Sequence, residues 1–304
     1  MPDIKVIVQN ALQAGVAIPA FNVPYLPMIE AVVRAVVDQN SFAMIETARL
    51  EWFKFEAGGP EAVAQEFFRW QNPDHVSLHL DHIPIIDEDG QRVDFLTDIR
   101  RAIDLGYHSV MVDGSRLPLD ENIAATRQAA ALAQHAGIPC EAELGAILGH
   151  EAGPLPPYDE IFASGAGFTK VAEARRFVAE SGCTWLSVAV GNIHGAISEG
   201  LKDKKKAAAR LDLDHLRSLA EASAIPLVLH GGSGIPQEYV LASFKKGIAK
   251  INIATEIRQA YEVALQSTSK VSKAQDAVYK RTSWLIDEYF GLAGIQPGVT
   301  QEVA

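Results

Sequence analysis

Three histidines fall where short apolar runs end. His82 closes Leu78-His79-Leu80-Asp81-His82, His194 lies in Gly191-Asn192-Ile193-His194-Gly195, and His230 lies in Leu227-Val228-Leu229-His230-Gly231. Neutral imidazoles suit Zn2+, and three protein ligands leave one coordination position open to a substrate oxygen. One such histidine alone is more often structural; three at equivalent places converge on a catalytic metal. Asn22, Glu46, Asp81, Asp113, Glu143 and Asn252 stand at similar ends. Asp81 is a candidate for exchanging a proton with a substrate hydroxyl beside the metal, the alternative being an orienting hydrogen bond or a helix cap. Glu143 and Asp113 are candidates for a second cation position, or for orienting the ligand imidazoles from behind. Glu141 shares the strand face of Glu143, deeper in. Glu151 stands in a Gly-flanked stretch, where a carboxylate can arrive as a loop closes; a surface glutamate is the alternative. His79, three residues before His82, reads as structural.

These residues need a scaffold that brings distant strand ends together. The candidate strands are Val16–Val23, Ala43–Thr47, Val76–His82, Ser109–Val112, Cys140–Leu144, Trp185–Val190, Pro226–His230 and Ala249–Ile253. Each is short and nearly continuously apolar, as a strand covered on both faces should be. Amphipathic helical patterns alternate with them, for example over Met28–Gln39, Phe95–Leu105, Ile123–His135, Val171–Ser181 and Leu213–Ala222. Gly106, Gly137 and Gly182 then read as C-terminal caps. This alternation predicts a single-domain α/β fold over residues 1–304, a (β/α)8 TIM barrel, whose active site is built at the C-terminal ends of the strands. A doubly wound sheet is the structural alternative, but no Gly-rich dinucleotide fingerprint follows the first strand. Gly231-Gly232-Ser233-Gly234 follows the seventh strand instead, a usual phosphate position in such barrels. Long loops are expected at about 83–93, 149–167 and 196–211.

The net charge of -11 disfavours nucleic acid and anionic lipid as partners, so any phosphate site must be built locally. No apolar run reaches the length of a membrane span, and the N-terminus lacks a signal-peptide pattern. The only cysteines, Cys140 and Cys183, sit in or beside apolar runs and read as buried thiols in a reducing compartment. A cytoplasmic protein is expected.

The chain resembles the class II fructose-bisphosphate aldolase family, tagatose-bisphosphate and related ketose-phosphate aldolases included. The resemblance runs from about Val16 to about Ala264. It is carried by Ala20-Phe21-Asn22-Val23, His79-Leu80-Asp81-His82, Ser109-Val110-Met111-Val112-Asp113-Gly114-Ser115, Glu141-Ala142-Glu143-Leu144-Gly145, Val188-Ala189-Val190-Gly191 with His194-Gly195, Leu229-His230-Gly231-Gly232-Ser233-Gly234-Ile235-Pro236 and Lys250-Ile251-Asn252-Ile253. The resemblance implies that His82, His194 and His230 hold a catalytic Zn2+, with Glu143 at or beside an alternative metal position and Asp113 nearby. It implies that Asp81 exchanges the hydroxyl proton at the new bond and that Glu151 exchanges the proton of the dihydroxyacetone-phosphate carbon. Asn22, Gly195, Gly231, Gly232, Ser233, Asn252 and Thr255 match positions around the substrate's phosphate and hydroxyls. A monovalent cation, Na+ or K+, supports this phosphate site in many members. Arg258 matches an arginine that reaches the far phosphate across a subunit contact, which implies a homodimer or homotetramer. Zn2+ as a Lewis acid would stabilise the enediolate formed on bond cleavage.

The chain departs from the family pattern at the aldehyde end. The second strand leads into Glu46-Thr47-Ala48-Arg49-Leu50 rather than a small hydroxyl residue, Ala254 replaces an Asn or Asp, and the turn after His82 is longer. Ala152 follows the loop glutamate, and Ile197 stands near where a lysine is usual. Arg49 could bind an anionic acceptor, its alternative being a surface arginine. The same chemistry on a non-standard or acid-bearing ketose phosphate is therefore a competing expectation, and a metal-binding homologue without catalysis is another. A hydrolase or epimerase would need different ligand spacing. A Schiff-base mechanism would need a lysine inside the barrel, and Lys250 reads as lying near the start of the last strand, at the wrong end.

Overall fold

The computed structural model describes residues 3–145, 158–192, 209–232 and 234–301. Eight parallel strands, β1 Ile18–Asn22, β2 Ala43–Ala48, β3 Val76–Pro84, β4 Ser109–Asp113, β5 Cys140–Leu144, β6 Trp185–Val188, β7 Leu227–Leu229 and β8 Ile248–Ile253, close a barrel in sequence order. Among the described residues the α-helices are α1 Ile4–Ala14, α2 Met28–Asp38, α3 Arg49–Lys54, α4 Pro60–Trp70, α5 Phe95–Asp104, α6 Leu119–His135, α7 Tyr158–Ser164, α8 Val171–Ser181, α9 Leu213–Ser223, α10 Gln237–Phe244, α11 Thr255–Thr268, α12 Val271–Trp284, which runs on into a π-helical turn at Leu285–Tyr289, and α13 Gln296–Thr300. The (β/α)8 expectation holds, and every expected strand is present, β5 with the expected bounds and the others with ends moved by at most two residues.

The apolar runs become strands because the helices cover their outer face while the barrel fills their inner one, so almost every strand residue is buried. Local chemistry sets the helix limits. The Asp94 carboxylate accepts from Thr97 N at the start of α5, and Asp212 accepts from His215 N at the start of α9. Gly182 closes α8 in the left-handed conformation, as expected.

Among the described residues two apolar cores result. One lies between the strands and the helix ring. The other gathers Ile4, Ile7 and Val8 of α1 with Phe42, Met44, Trp185 and Val228 at the starts of strands. α1 thus plugs the N-terminal end of the barrel. Burying Ile7 or Phe42 there contributes about 1.5–3 kcal/mol each. The opposite end, where the polar residues gather, is left for chemistry.

Two of the expected loops carry regular structure among their described residues. β3 runs on to Pro84, and an antiparallel bridge between Ile86 and Arg92 folds the rest of 83–93 back on itself. α7 occupies part of 149–167, while residues 149–157 and 196–208 lie outside the described residues. No helix among the described residues is long and apolar enough to cross a membrane.

Candidate active site

Asp81 and His82 are neighbours on one strand, and alternation would send them to opposite faces. The backbone resolves this. The pairing of β3 with β4 shifts register between Leu80 and Ile83, and His82 takes the left-handed conformation at φ 29°. A bulge of this kind re-aims a side chain at the cost of local strain. Asp81, His82 and His230 then lie together, with one ligand atom from each within 4.8 Å of the others. The rings of His82 and His230 are 4.5 Å apart between centroids.

The carboxylates complete a donor set suited to a cation. His82 Nδ1 is 3.3 Å from Asp113 Oδ2 and 3.9 Å from Glu143 Oε2. His230 Nδ1 is 3.3 Å from the same Glu143 oxygen, and His230 Nε2 is 2.8 Å from Glu141 Oε1. His82, Asp113 and Glu143 form a second grouping with ligand atoms within 4.8 Å. His82 and Asp113 keep 20% and 18% of their side-chain surface exposed, whereas His230 and Glu143 are buried, so the cluster opens to solvent on the His82–Asp113 side. Imidazoles and carboxylates with one open side fit a catalytic divalent metal.

The electrostatics point the same way. Burial and the charge of His82 act to discharge His230, but the carboxylates of Glu141 and Glu143 override both and raise its pKa to about 9. Burial likewise opposes charge on His82, yet Asp81, Asp113 and Glu143 raise it well above the ordinary imidazole range. The pocket therefore favours positive charge at these two rings, which is what a cation would supply. Burial pushes Glu143 up, reinforced by Asp113.

Asp81 is held from two sides. Asn22 Nδ2 donates to Oδ2 at 2.9 Å and Asn252 Nδ2 to Oδ1 at 3.0 Å. Burial would protonate it, but His82, His230 and Lys250 hold its carboxyl well below the usual range. An ionised carboxylate with fixed orientation beside a metal-competent cluster can accept a proton from a substrate hydroxyl and return it.

Other expected residues sit around this centre or away from it. Asn252 is the penultimate residue of β8, Thr255 opens α11, and Gly231 follows β7 in the left-handed conformation at φ 66°. A Cβ on Gly232 would press on Ile251 Cδ1 at 3.0 Å, so glycine fits that close approach. Arg258 Nη1 is bonded to both oxygens of Glu262, 2.9 and 2.8 Å away, with its guanidinium over the Phe55 ring. Arg49 is engaged by Asp98 at 3.1 Å and lies over Phe53. Glu151, His194, Gly195 and Ser233 lie outside the described residues. His79 is buried deep in the barrel and bonded to Ser109 Oγ at 2.7 Å, consistent with a structural part.

Sequence reading misjudged Lys250 and passed over Glu51. Lys250 starts low in β8, but its long side chain climbs the barrel interior. Nζ reaches Asn252 Oδ1 at 2.7 Å, Glu141 at 3.0 Å and Glu46 at 3.2 Å. Burial opposes its charge, but Glu141 and Glu46 prevail and hold the ammonium firmly protonated. A lysine so paired lacks the free amine that Schiff-base formation requires. Glu51 is buried on α3 beside Asn22. Its signal was a glutamate three residues after the end of β2, the spacing of a helix-start carboxylate.

Residues 3–292 match the family described as Fructose-bisphosphate aldolase class-II. The fructose-bisphosphate aldolase of Streptococcus pneumoniae serotype 4 is 32% identical, with 97% of this chain and 94% of that protein covered. That of Streptococcus pyogenes serotype M1 is 30% identical at the same coverage. Among solved structures, the YdjI aldolase of Escherichia coli K12 superimposes with a TM-score of 0.75 at 27% identity, covering 96% of this chain and 98% of that one. With this match over nearly its whole length and a metal-competent cluster at the barrel mouth, the chain belongs to the class-II fructose-bisphosphate aldolase family, the metal-dependent carbon–carbon lyases.

Proposed function

We propose that the chain catalyses reversible retro-aldol cleavage of a ketose phosphate or bisphosphate to dihydroxyacetone phosphate and an aldehyde. The observation that supports this most is the grouping of Asp81, His82 and His230 at the open end of the barrel, with Asp81 clamped by two asparagine amides. His82, His194 and His230 would hold Zn2+, and Glu143 with Asp113 would offer an alternative position for it. Bound there, the cation supplies Lewis acidity to the carbonyl and hydroxyl oxygens of the substrate.

The chain's own groups do the rest. Asp81 takes the proton of the substrate hydroxyl during cleavage and returns it during condensation. Glu151, from its loop, exchanges the proton of the dihydroxyacetone-phosphate carbon. Asn22 and Asn252 orient Asp81 and meet substrate hydroxyls. Backbone N–H groups around Gly195, Gly231, Gly232 and Ser233, with the α11 start at Thr255, cradle the phosphate despite the acidic chain; Na+ or K+ would assist. A homodimer or homotetramer would let Arg258 exchange Glu262 for a phosphate of the neighbouring subunit's substrate. Arg49 has the same potential toward an anionic acceptor, in exchange for Asp98. The free cysteines, both buried, suit a cytoplasmic setting.

The test is metal analysis coupled to condensation of dihydroxyacetone phosphate with a panel of aldehydes, with and without chelator. Bound zinc and chelator-sensitive condensation are expected. A purified, folded protein that binds no zinc and condenses no aldehyde overturns the proposal.

A further inference from the structure

We propose that Glu51 is a positioning residue of the aldehyde end: its carboxyl group orients the Asn22 amide and, through that amide, governs the charge around Asp81. This rests on the reading of Asp81 as the proton-exchanging group.

The local sequence explains how a glutamate reaches the site. β2 ends at Ala48 and α3 begins at once, with Glu51 in its first turn. Glu51 Oε2 accepts from Ala48 N at 2.9 Å, the back-bond of a glutamate at a helix start. That bond folds the side chain inward, and the same oxygen stands 3.4 Å from Asn22 Nδ2. Asn22 Nδ2 also donates to Asp81 at 2.9 Å. An amide nitrogen carries two N–H bonds, so one planar group joins two acids. With Glu51 as partner, the nitrogen of Asn22 rather than its oxygen is turned towards Asp81.

Two buried carboxyl groups this close do not both ionise cheaply. Asp81 accepts from the amides of both Asn22 and Asn252, and two such donors favour its charged form. Burial first, then the charge of Asp81, lifts Glu51 to about 8, against the lowering effects of the Ala48 N–H, the Asn22 amide and His82. Glu51 is therefore the neutral member near pH 7. The charged groups facing it are Asp81 and His82, both of β3. Glu46 of β2 is a separate acid lifted to about 8, and it faces Lys250. When Glu51 ionises, a second negative charge stands across the amide from Asp81. It strains the Asn22 bridge and repels an anionic substrate.

The experiment is the pH profile of kcat/KM for cleavage and condensation in the zinc-loaded wild type, Glu51→Gln and Glu51→Asp. The wild type is expected to lose activity above a midpoint near pH 8, about tenfold per pH unit. Glu51→Gln cannot ionise, and its profile, whatever its plateau, lacks that limb. Glu51→Asp keeps an acid in a shorter arm, and its limb moves. A Glu51→Gln limb that superimposes on the wild type overturns the proposal. If Glu51→Gln does not fold, a Glu51→Asp profile identical to wild type does the same. A wild type inactive on every aldehyde would instead overturn the aldolase reading beneath it.

Discussion

His230 Nε2 lies 2.8 Å from Glu141 Oε1, while Nδ1 of the same ring faces Glu143 at 3.3 Å. With a cation bound at the cluster, Glu141 would fix which nitrogen keeps its proton and which is offered to the metal. Replacing Glu141 by Gln removes the charge that fixes this tautomer. Zinc affinity, measured by chelator competition, is expected to fall about 10–100-fold. Unchanged affinity would show that the ring is held by packing alone.

Lys250 sits between Glu46 and Glu141 with no exposed surface. Lys250→Met leaves the Glu141 carboxylate without its buried cation. Chemical denaturation should show a loss of about 3–5 kcal/mol. Borohydride added during turnover should label no lysine, because the Lys250 amine is held protonated. A labelled Lys250 would contradict the ion-pair account.

Stability of the metal-free protein should decline on the alkaline side. Glu46 and Glu51 are raised from the ordinary carboxyl range to about 8, and His230 to about 9. A group whose folded pKa is raised binds its proton more tightly when folded. Its contribution is complete below the unfolded pKa and is lost as pH climbs through the folded one. For all three groups that loss is complete by pH 10. The denaturation midpoint should therefore fall between pH 7 and 10, and less so in Glu51→Gln. His79 acts at the opposite end. Burial, then Lys250, lowers it to about 3, so its contribution is lost as pH falls from 6.5 through 3. An alkaline midpoint equal to that at pH 7 would refute the assignment of buried protons to these acids.

Asp81→Asn keeps the shape of the clamp and removes the proposed base. Cleavage should slow by about 10²–10⁴. Solvent exchange at the dihydroxyacetone-phosphate carbon, assigned to Glu151, should fall much less. Equal losses in both assays would place Asp81 in binding rather than proton exchange.

Gly114 follows β4, and a Cβ there would run into the Asn122 side-chain oxygen. The Asn122 amide donates to Glu143 O at 3.0 Å. Gly114→Ala should cost about 1–3 kcal/mol of stability and weaken metal binding as Glu143 shifts. Thermal melts with and without zinc separate the two effects.

What local pattern determines was readable in the chain itself. Apolar runs of strand length between amphipathic segments prescribe a barrel, and a barrel prescribes that residues ending its strands meet. Asp81, Asp113, Glu143, His230 and Asn252 needed no more than that. What depends on the register of strands far apart in sequence was not readable. The bulge that turns His82 to the same side as Asp81 comes from how β3 pairs with β4, and periodicity assigns the two to opposite faces. The reach of Lys250 is a matter of side-chain length inside a closed barrel, not of its position along β8. Arg49 finds Asp98, and Glu51 finds Asn22, only because β2, which leads into α3, pairs with β1 on one side and with β3 on the other. Hydrophobic pattern is a property of neighbours along the chain; charge pairing in a barrel interior belongs to neighbours across it.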